Sequence, residues 1–241
     1  LGGTVAAGLA GPARVARGPV RDYVLGARLL TGDGRVLKFG GEVMKNVAGY
    51  DVSRLLAGSL GILGVLLEVS LKVLPVARGT RTLRRHIAAQ GALELLGAAA
   101  QRGLPLTGSF WCAGELYVRL EGCPTGLDEL VPTIGGELLD EPAAASLWHG
   151  IREQTHTYFT SARPLWRLSL PATAAGVALV PADRVAFEWN GAQAWINGVE
   201  RQTIDPITRA AGGHATLFRR DDTAVGETSE VFAPLPAPLL D

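Results

Sequence analysis

Cysteine is scarce in this chain: the 241 residues hold only Cys112 and Cys123, neither in a C-x-x-C pair nor close to a histidine. That excludes a disulfide framework or a thiolate metal centre as an organising device, and two buried or inert thiols in a reducing cytoplasm are the expectation. An excess of charge of one sign is also lacking. The 23 Lys and Arg residues are balanced by 23 Asp and Glu, which leaves no electrostatic footprint for nucleic acid or an anionic membrane surface. The longest uncharged apolar stretch, Leu55 to Leu67, has 13 residues and is broken by three glycines. A membrane-spanning helix needs ~18, and no secretory signal pattern is present. There is no Gly-Lys-Ser/Thr loop, no GxGxxG and no GxSxG elbow. The four histidines, His86, His149, His156 and His214, are scattered without carboxylates at metal-binding spacing, so no metal site is expected. The acidic neighbours Asp140-Glu141 and Asp221-Asp222 send their side chains in different directions and read as solvated turns.

What the chain has in quantity is glycine. Gly2 to Pro12 (GGTVAAGLAGP) carries four glycines among small residues. This composition suits either a plain connection or a turn whose backbone N–H groups point at an anion. Arg21 to Leu30 and Val36 to Phe39 are β-rich and flank Thr31-Gly32-Asp33-Gly34, which predicts a hairpin. The most informative stretch is Gly40 to Pro75, GGEVMKNVAGYDVSRLLAGSLGILGVLLEVSLKVLP. It combines an Asn/Gly turn, a helical turn or two at Ser53 to Ala57, and glycines 58, 61 and 64. A long strand, Gly64 to Leu74, follows, whose alternation predicts one buried face formed by Val65, Leu67, Val69, Leu71 and Val73. Glycine at this density before an apolar strand implies a backbone that must approach something closely.

Beyond Pro75 the pattern changes, and a domain boundary is expected between Pro75 and Gly79. Arg78 to Arg85 predicts a strand, Ala92 to Arg102 a helix ended by Gly103 and Pro105, and Ser109 to Cys112 with Leu116 to Leu120 an antiparallel pair. A Pro-interrupted helix is expected at Leu127 to Ile134 and a better one at Glu141 to Phe159, with Pro142 in its first turn. Strands at Leu165 to Leu170, Arg184 to Glu188 and Gln193 to Val199 follow. A helix at Asp205 to Ala211 and a strand at His214 to Phe218 complete an α+β domain on an antiparallel sheet. Arg163, Arg167, Arg219 and Arg220 lie beside these strands. Surface arginines or bidentate partners for a carboxylate would both account for them. The five tryptophans, all in the second part, read mainly as packing. No self-sufficient catalytic group stands out, and this suits an enzyme whose chemistry belongs to a bound cofactor.

The stretch KNVAGYDV followed by GSLGILGV resembles the K-N-x-x-G-Y-D-(L/V) and G-S-x-G-x-L-G-(V/I) segments of FAD-linked oxidases of the vanillyl-alcohol-oxidase type. With GGEVMKNVAGYD and the preceding GLAGP and VRDYVLG, the resemblance is greatest to the FAD-binding E subunits of bacterial glycolate oxidases (glycolate dehydrogenases). It is strong from Gly2 to Pro75 and persists more weakly through RPLWRLSLP and GGHATLFR to VFAPL. The resemblance implies the carboxy-terminal part of a PCMH-type FAD-binding domain, residues 1–77, followed by an α+β cap domain on an antiparallel sheet, residues 78–241. It implies FAD as cofactor, lined by Gly2, Gly3, Thr4, Gly8, Gly11, Gly61, Gly64 and Val65, with Lys45, Asn46 and Tyr50 bracing the site. It further implies oxidation of glycolate to glyoxylate in a complex with a larger flavin subunit and an iron–sulfur subunit, in the cytoplasm or attached to the inner membrane through those partners. A non-catalytic assembly or electron-relay subunit, and a stand-alone FAD-dependent dehydrogenase for lactate or another 2-hydroxy acid, are the alternatives; no catalytic base is assigned. The chain begins at Leu1-Gly2-Gly3 and finishes in Pro-Ala-Pro-Leu-Leu-Asp, so a fragment cut at both ends is expected. About half of the FAD pocket would then lie outside it, and weak or absent FAD binding by this stretch alone follows.

Overall fold

The computed structural model describes residues 1–42, 50–160, 164–172, 181–220 and 230–234. The chain divides into two compact units, Leu1–Val76 and Ala77–Asp241, and each combines short helices with an antiparallel sheet.

The first unit opens with helices α1 (Gly2–Ala6) and α2 (Arg14–Arg17) and a 3-10 turn at Val20–Tyr23. Strands β1 (Val24–Leu30) and β2 (Val36–Gly40) form the hairpin that the Thr31–Gly34 turn predicts. In that turn Gly34 has φ +79° and donates to the Thr31 carbonyl at 3.0 Å. Helix α3 (Val52–Leu55) and strand β3 (Val65–Leu71) follow, and β3 pairs with the other edge of β1, giving the order β2-β1-β3. The buried face of β3 differs from simple alternation. Arg28 is opposite Glu68 but Leu29 is opposite Leu66, so Leu67 is an extra, unpaired residue. This bulge reverses the phase of the strand. Leu66 and Val69 pack on the buried Ala27, Leu29 and Leu56, whereas Val65 and Leu67 are 60% and 50% exposed.

In the second unit, β4 (Gly79–His86) leads to α4 (Ala89–Gln101), the hairpin of β5 (Leu106–Cys112) and β6 (Glu115–Gly122), α5 (Pro124–Ile134), the short β7 (Glu137–Leu138) and α6 (Glu141–Arg152). Strands β8 (Leu165–Ser169), β9 (Val185–Glu188) and β10 (Gln193–Asn197), helix α7 (Arg201–Ala210) and strand β11 (His214–Arg219) complete it. The eight strands form one antiparallel sheet in the order β11-β8-β10-β9-β5-β6-β4-β7. Alternate strand residues serve opposite faces. One face carries Trp111, Val118, Trp166, Phe187 and Ile196 against residues of α4, α5 and α7. The other carries Phe110, Leu165, Ala186 and Trp195 against Trp148 and Ile151 of α6 and the 3-10 turn Thr157–Thr160.

Two expected helices behave differently. Pro132 sits inside α5 without interrupting it, and Gly135 at φ +70° terminates the helix. The helix expected to reach Phe159 stops at Arg152, because Gln154 adopts φ +58° and the N–H groups of Thr155 and His156 both turn back to the Gly150 carbonyl.

Candidate functional site

The expected glycine turn at Gly2 to Thr4 is the first turn of α1. Glycine is a poor helix former, costing about 1 kcal/mol relative to Ala, and a five-residue helix has little stability of its own. Tertiary bonds hold it. Val5 is fully buried, Gly8 at φ +63° ends the helix, and the N–H groups of Gly8 and Leu9 return to the carbonyls of Val5 and Thr4. This is a Schellman closure, for which the αL position favours glycine. The turn after α3 then docks on it: Gly58 N–H donates to the Val5 carbonyl at 3.0 Å and Leu60 N–H to the Ala6 carbonyl at 2.8 Å. A Cβ on Gly8 would stand 3.1 Å from the Gly58 Cα. Two glycine segments about fifty residues apart in sequence thus form one surface.

The named glycines divide by cause. At Gly64 (φ +139°) a Cβ would stand 2.5 Å from the Leu30 carbonyl oxygen, so the packing of β3 on β1 accounts for it. Gly61 has φ +81° and follows Leu60, itself at φ +54°; consecutive left-handed residues of this kind store strain and concentrate at functional turns. A Cβ added at Gly2 or Gly3 would meet no heavy atom within 4 Å, and neither residue has positive φ. Nothing within the described chain requires glycine at these two positions. Thr4, Gly61 and Val65 are exposed beside them, and Gly11 accepts from Arg14 N–H at 3.1 Å as the chain turns into α2. Of the bracing residues, Tyr50 is 95% exposed, while Lys45 and Asn46 lie outside the described residues. Asp51, from the same motif, caps α3, accepting from Arg54 N–H at 3.2 Å and from the Ser53 hydroxyl at 3.0 Å.

The two units also differ in charge, which the balanced total conceals. Residues 1–76 hold nine Lys and Arg against five Asp and Glu; the remainder hold fourteen against eighteen. A polyanion is therefore favoured at the first unit.

The second unit contains a buried polar cluster that sequence reasoning missed. Glu188, at the end of β9, is 3% exposed; its Oε1 accepts from Trp195 Nε1–H at 2.7 Å and from Gln193 Nε2–H at 3.2 Å. Burial pushes its carboxyl up to about 7, against the opposing effect of these two donors. The available signal was that Ala186 and Glu188 share a strand face, which places an acid on an apolar surface. Arg163 lies outside the described residues. Arg167 stacks on Phe218 at 5.8 Å, and Arg219 donates to the Phe159 carbonyl and to Gln154 Oε1, a tie within the fold. The histidines do not converge: His86 faces Glu115, His149 faces Arg152 and His156 packs edge-on to Phe110. No group of metal ligands exists among the described residues. Cys112 is half-buried, and burial raises its thiol to about 11. Cys123 departs from expectation: it is exposed at the start of α5, and the Thr125 hydroxyl lowers its pKa. No helix of the described residues is long and apolar enough to cross a membrane.

No family model matches the chain. Among curated proteins it is 45% identical over 239 residues to the glycolate oxidase subunit GlcE of Escherichia coli, covering 99% of this chain and 65% of that protein. It therefore spans just under two thirds of that relative's length. Shorter matches include the glycolate oxidase subunit GlcD of Bacillus subtilis, 36% identical over 34% of this chain and 18% of that one. An uncharacterised FAD-linked oxidoreductase of Mycobacterium tuberculosis is 35% identical over 31% of this chain and 16% of its own length. From end to end, at nearly half of its positions, the chain is thus similar to the glycolate oxidase subunit GlcE, with shorter likenesses to other FAD-linked oxidoreductases.

Proposed function

We propose that this chain is part of the FAD-binding subunit of a glycolate oxidase and that the surface built from Gly2, Gly3, Thr4, Gly8, Gly11, Gly61, Gly64 and Val65 forms one wall of the FAD site. The carrying observation is the end-to-end similarity to GlcE. Two features of the chain fit the group: the open glycines at positions 2 and 3, where a flat ligand can reach backbone N–H groups, and the basic excess of the first unit, which suits a pyrophosphate. FAD would supply hydride acceptance from the α-carbon of a 2-hydroxy acid, glycolate giving glyoxylate. The protein's part is binding, orientation and electrostatics. In this reading the subunit assembles with the larger flavin subunit and passes electrons to an iron–sulfur subunit, and those partners attach it to the inner membrane.

The glycine surface is tested by Gly3→Ala in the full-length subunit assembled with its partners. Because no neighbour opposes a Cβ there, the melting temperature should be unchanged or slightly raised, Ala being the better helix former by up to ~1 kcal/mol. Bound FAD should fall by about tenfold or more, equivalent to ~1.4 kcal/mol of binding. Undiminished flavin content would remove this surface from the site, and unchanged glycolate turnover in a flavin-depleted variant would leave the subunit an assembly role only.

A further inference from the structure

The β9–β10 hairpin turns through Trp189, Asn190 and Gly191, successive residues with left-handed backbone at φ +54°, +57° and +92°. Glycine adopts this conformation freely and asparagine readily, but a bulky residue such as Trp189 does so under strain. Ties to other elements hold the turn down. Ser109 of β5, itself fully buried, donates to Asn190 Oδ1 at 3.0 Å and accepts from the Asn190 N–H at 2.9 Å. The Leu170 N–H donates to the Ala192 carbonyl at 2.9 Å. Leu93 of α4 packs on Gly191, where a Cβ would stand 2.6 Å from its Cδ2.

Glu188 and Gln193, opposite each other in register, close the hairpin at the base of this turn. Both are buried, and the donors from Gln193 and Trp195 converge on one oxygen of Glu188, Oε1. Oε2 makes no hydrogen bond among the described residues. The titratable and charged groups that the register places on the same sheet face are Cys112 on β5, Glu115 and Tyr117 on β6, Arg167 on β8 and His214 on β11. His156 and Tyr158 cover that face from the 3-10 turn, and α6 turns Trp148 and Ile151 to it. None of these groups bonds to Glu188 or offsets a charge on it, so burial raises its carboxyl from 4.5 to about 7. A charge formed here is relieved by water, and release of the left-handed turn beside it relieves backbone strain as well.

We propose that residues 189–192 form a pH-gated flap: when Glu188 ionises, the turn lifts from Ser109 and α4 while the remaining strands stay paired. This goes beyond the reading of the chain as a flavin subunit and does not depend on it.

Native-state amide hydrogen exchange of the whole chain, read residue by residue and corrected for the intrinsic effect of pH, tests the proposal. Protection of the Asn190 amide should fall at least ~tenfold between about pH 5 and about pH 8, because the carboxyl regains its ordinary value once the flap is open. The fall should level off as the pH passes about 7. Asn190 exchange should also be insensitive to ~1 M urea, as local openings are, whereas the Val118 amide in the middle of the sheet should exchange faster with urea. Glu188→Gln should remove the pH dependence and leave Asn190 protected; should that variant fail to fold, the pH and urea profiles of the unaltered chain decide. Protection that does not change over this range, a fall that continues well past pH 7, urea sensitivity equal to that of Val118, or an undiminished fall in Glu188→Gln would each overturn it.

Discussion

The two units solve the problem of burying a sheet in opposite ways. In the second, both sheet faces are covered, and the described residues form buried clusters of twenty-one and eight side chains. In the first, three buried residues make the whole cluster. Of the seventeen large apolar side chains exposed among the described residues, fourteen belong to the first unit, including Leu60, Ile62, Val65 and Leu67. Among the described residues the second unit buries both faces of its sheet, whereas the first leaves apolar and glycine surface exposed.

The largest expected effect that would sharpen this contrast is in the cores. Phe187 is fully buried and stacks on Trp111 at 5.3 Å, so Phe187→Ala should destabilise the second unit by about 3–5 kcal/mol, whereas Leu56→Ala in the thin core of the first should cost about 2. All five tryptophans lie in the second unit, so their fluorescence in urea reads the former, and hydrogen exchange of β1 amides reads the latter. Equal costs would mean that the first unit is as closely packed as the second.

Next in size is the pH dependence that the well-covered sheet imposes. Glu188 has its carboxyl raised from 4.5 to about 7 by burial. The native state therefore binds the proton more tightly than the unfolded chain, and stability is fully present below pH 4.5 and declines as pH rises through about 7. The loss is roughly 3 kcal/mol, since each tenfold change in proton affinity is worth about 1.4. Glu188→Gln keeps an acceptor for Trp195 and should flatten the profile over this window; urea melts at a series of pH values check it, and an undiminished slope would assign the titration to another group. The smallest effect concerns the open side. Leu67→Thr, at the bulge of β3, should change stability by no more than ~0.5 kcal/mol, and a loss several times larger would show that this residue is covered within the chain.

Much of the local structure was legible because its causes are local. The Thr31–Gly34 turn fixes the first hairpin, Ala113-Gly114 the second, and the apolar spacing of Leu93, Leu96, Ala99 and Ala100 predicts α4, of which Leu96 and Ala99 are buried. The failures have non-local causes. Helix α1 is hidden behind a glycine pair because N–H groups of residues 58 and 60, absent from any local window, hold it by donating to the carbonyls of Val5 and Ala6. The buried face of β3 was misassigned because one bulge residue shifts its phase. The strand order of the large sheet, with β8 between β10 and β11, follows from pairings no periodicity encodes. In the candidate site the glycines were readable as a class, through resemblance; which of them serve the fold and which leave space outside it required the neighbours of each missing Cβ. Glu188 escaped because burial of an acid depends on what lies across the sheet.

The bonds from Gly58 and Leu60 to Val5 and Ala6 also set an order of events during folding. A five-residue helix does not persist alone, and closing a loop of this length carries an entropic cost before any contact rewards it. The α1 corner of the glycine surface therefore forms only after α3 and the turn that follows it have left the ribosome, so residues made early in this unit are among its last to settle.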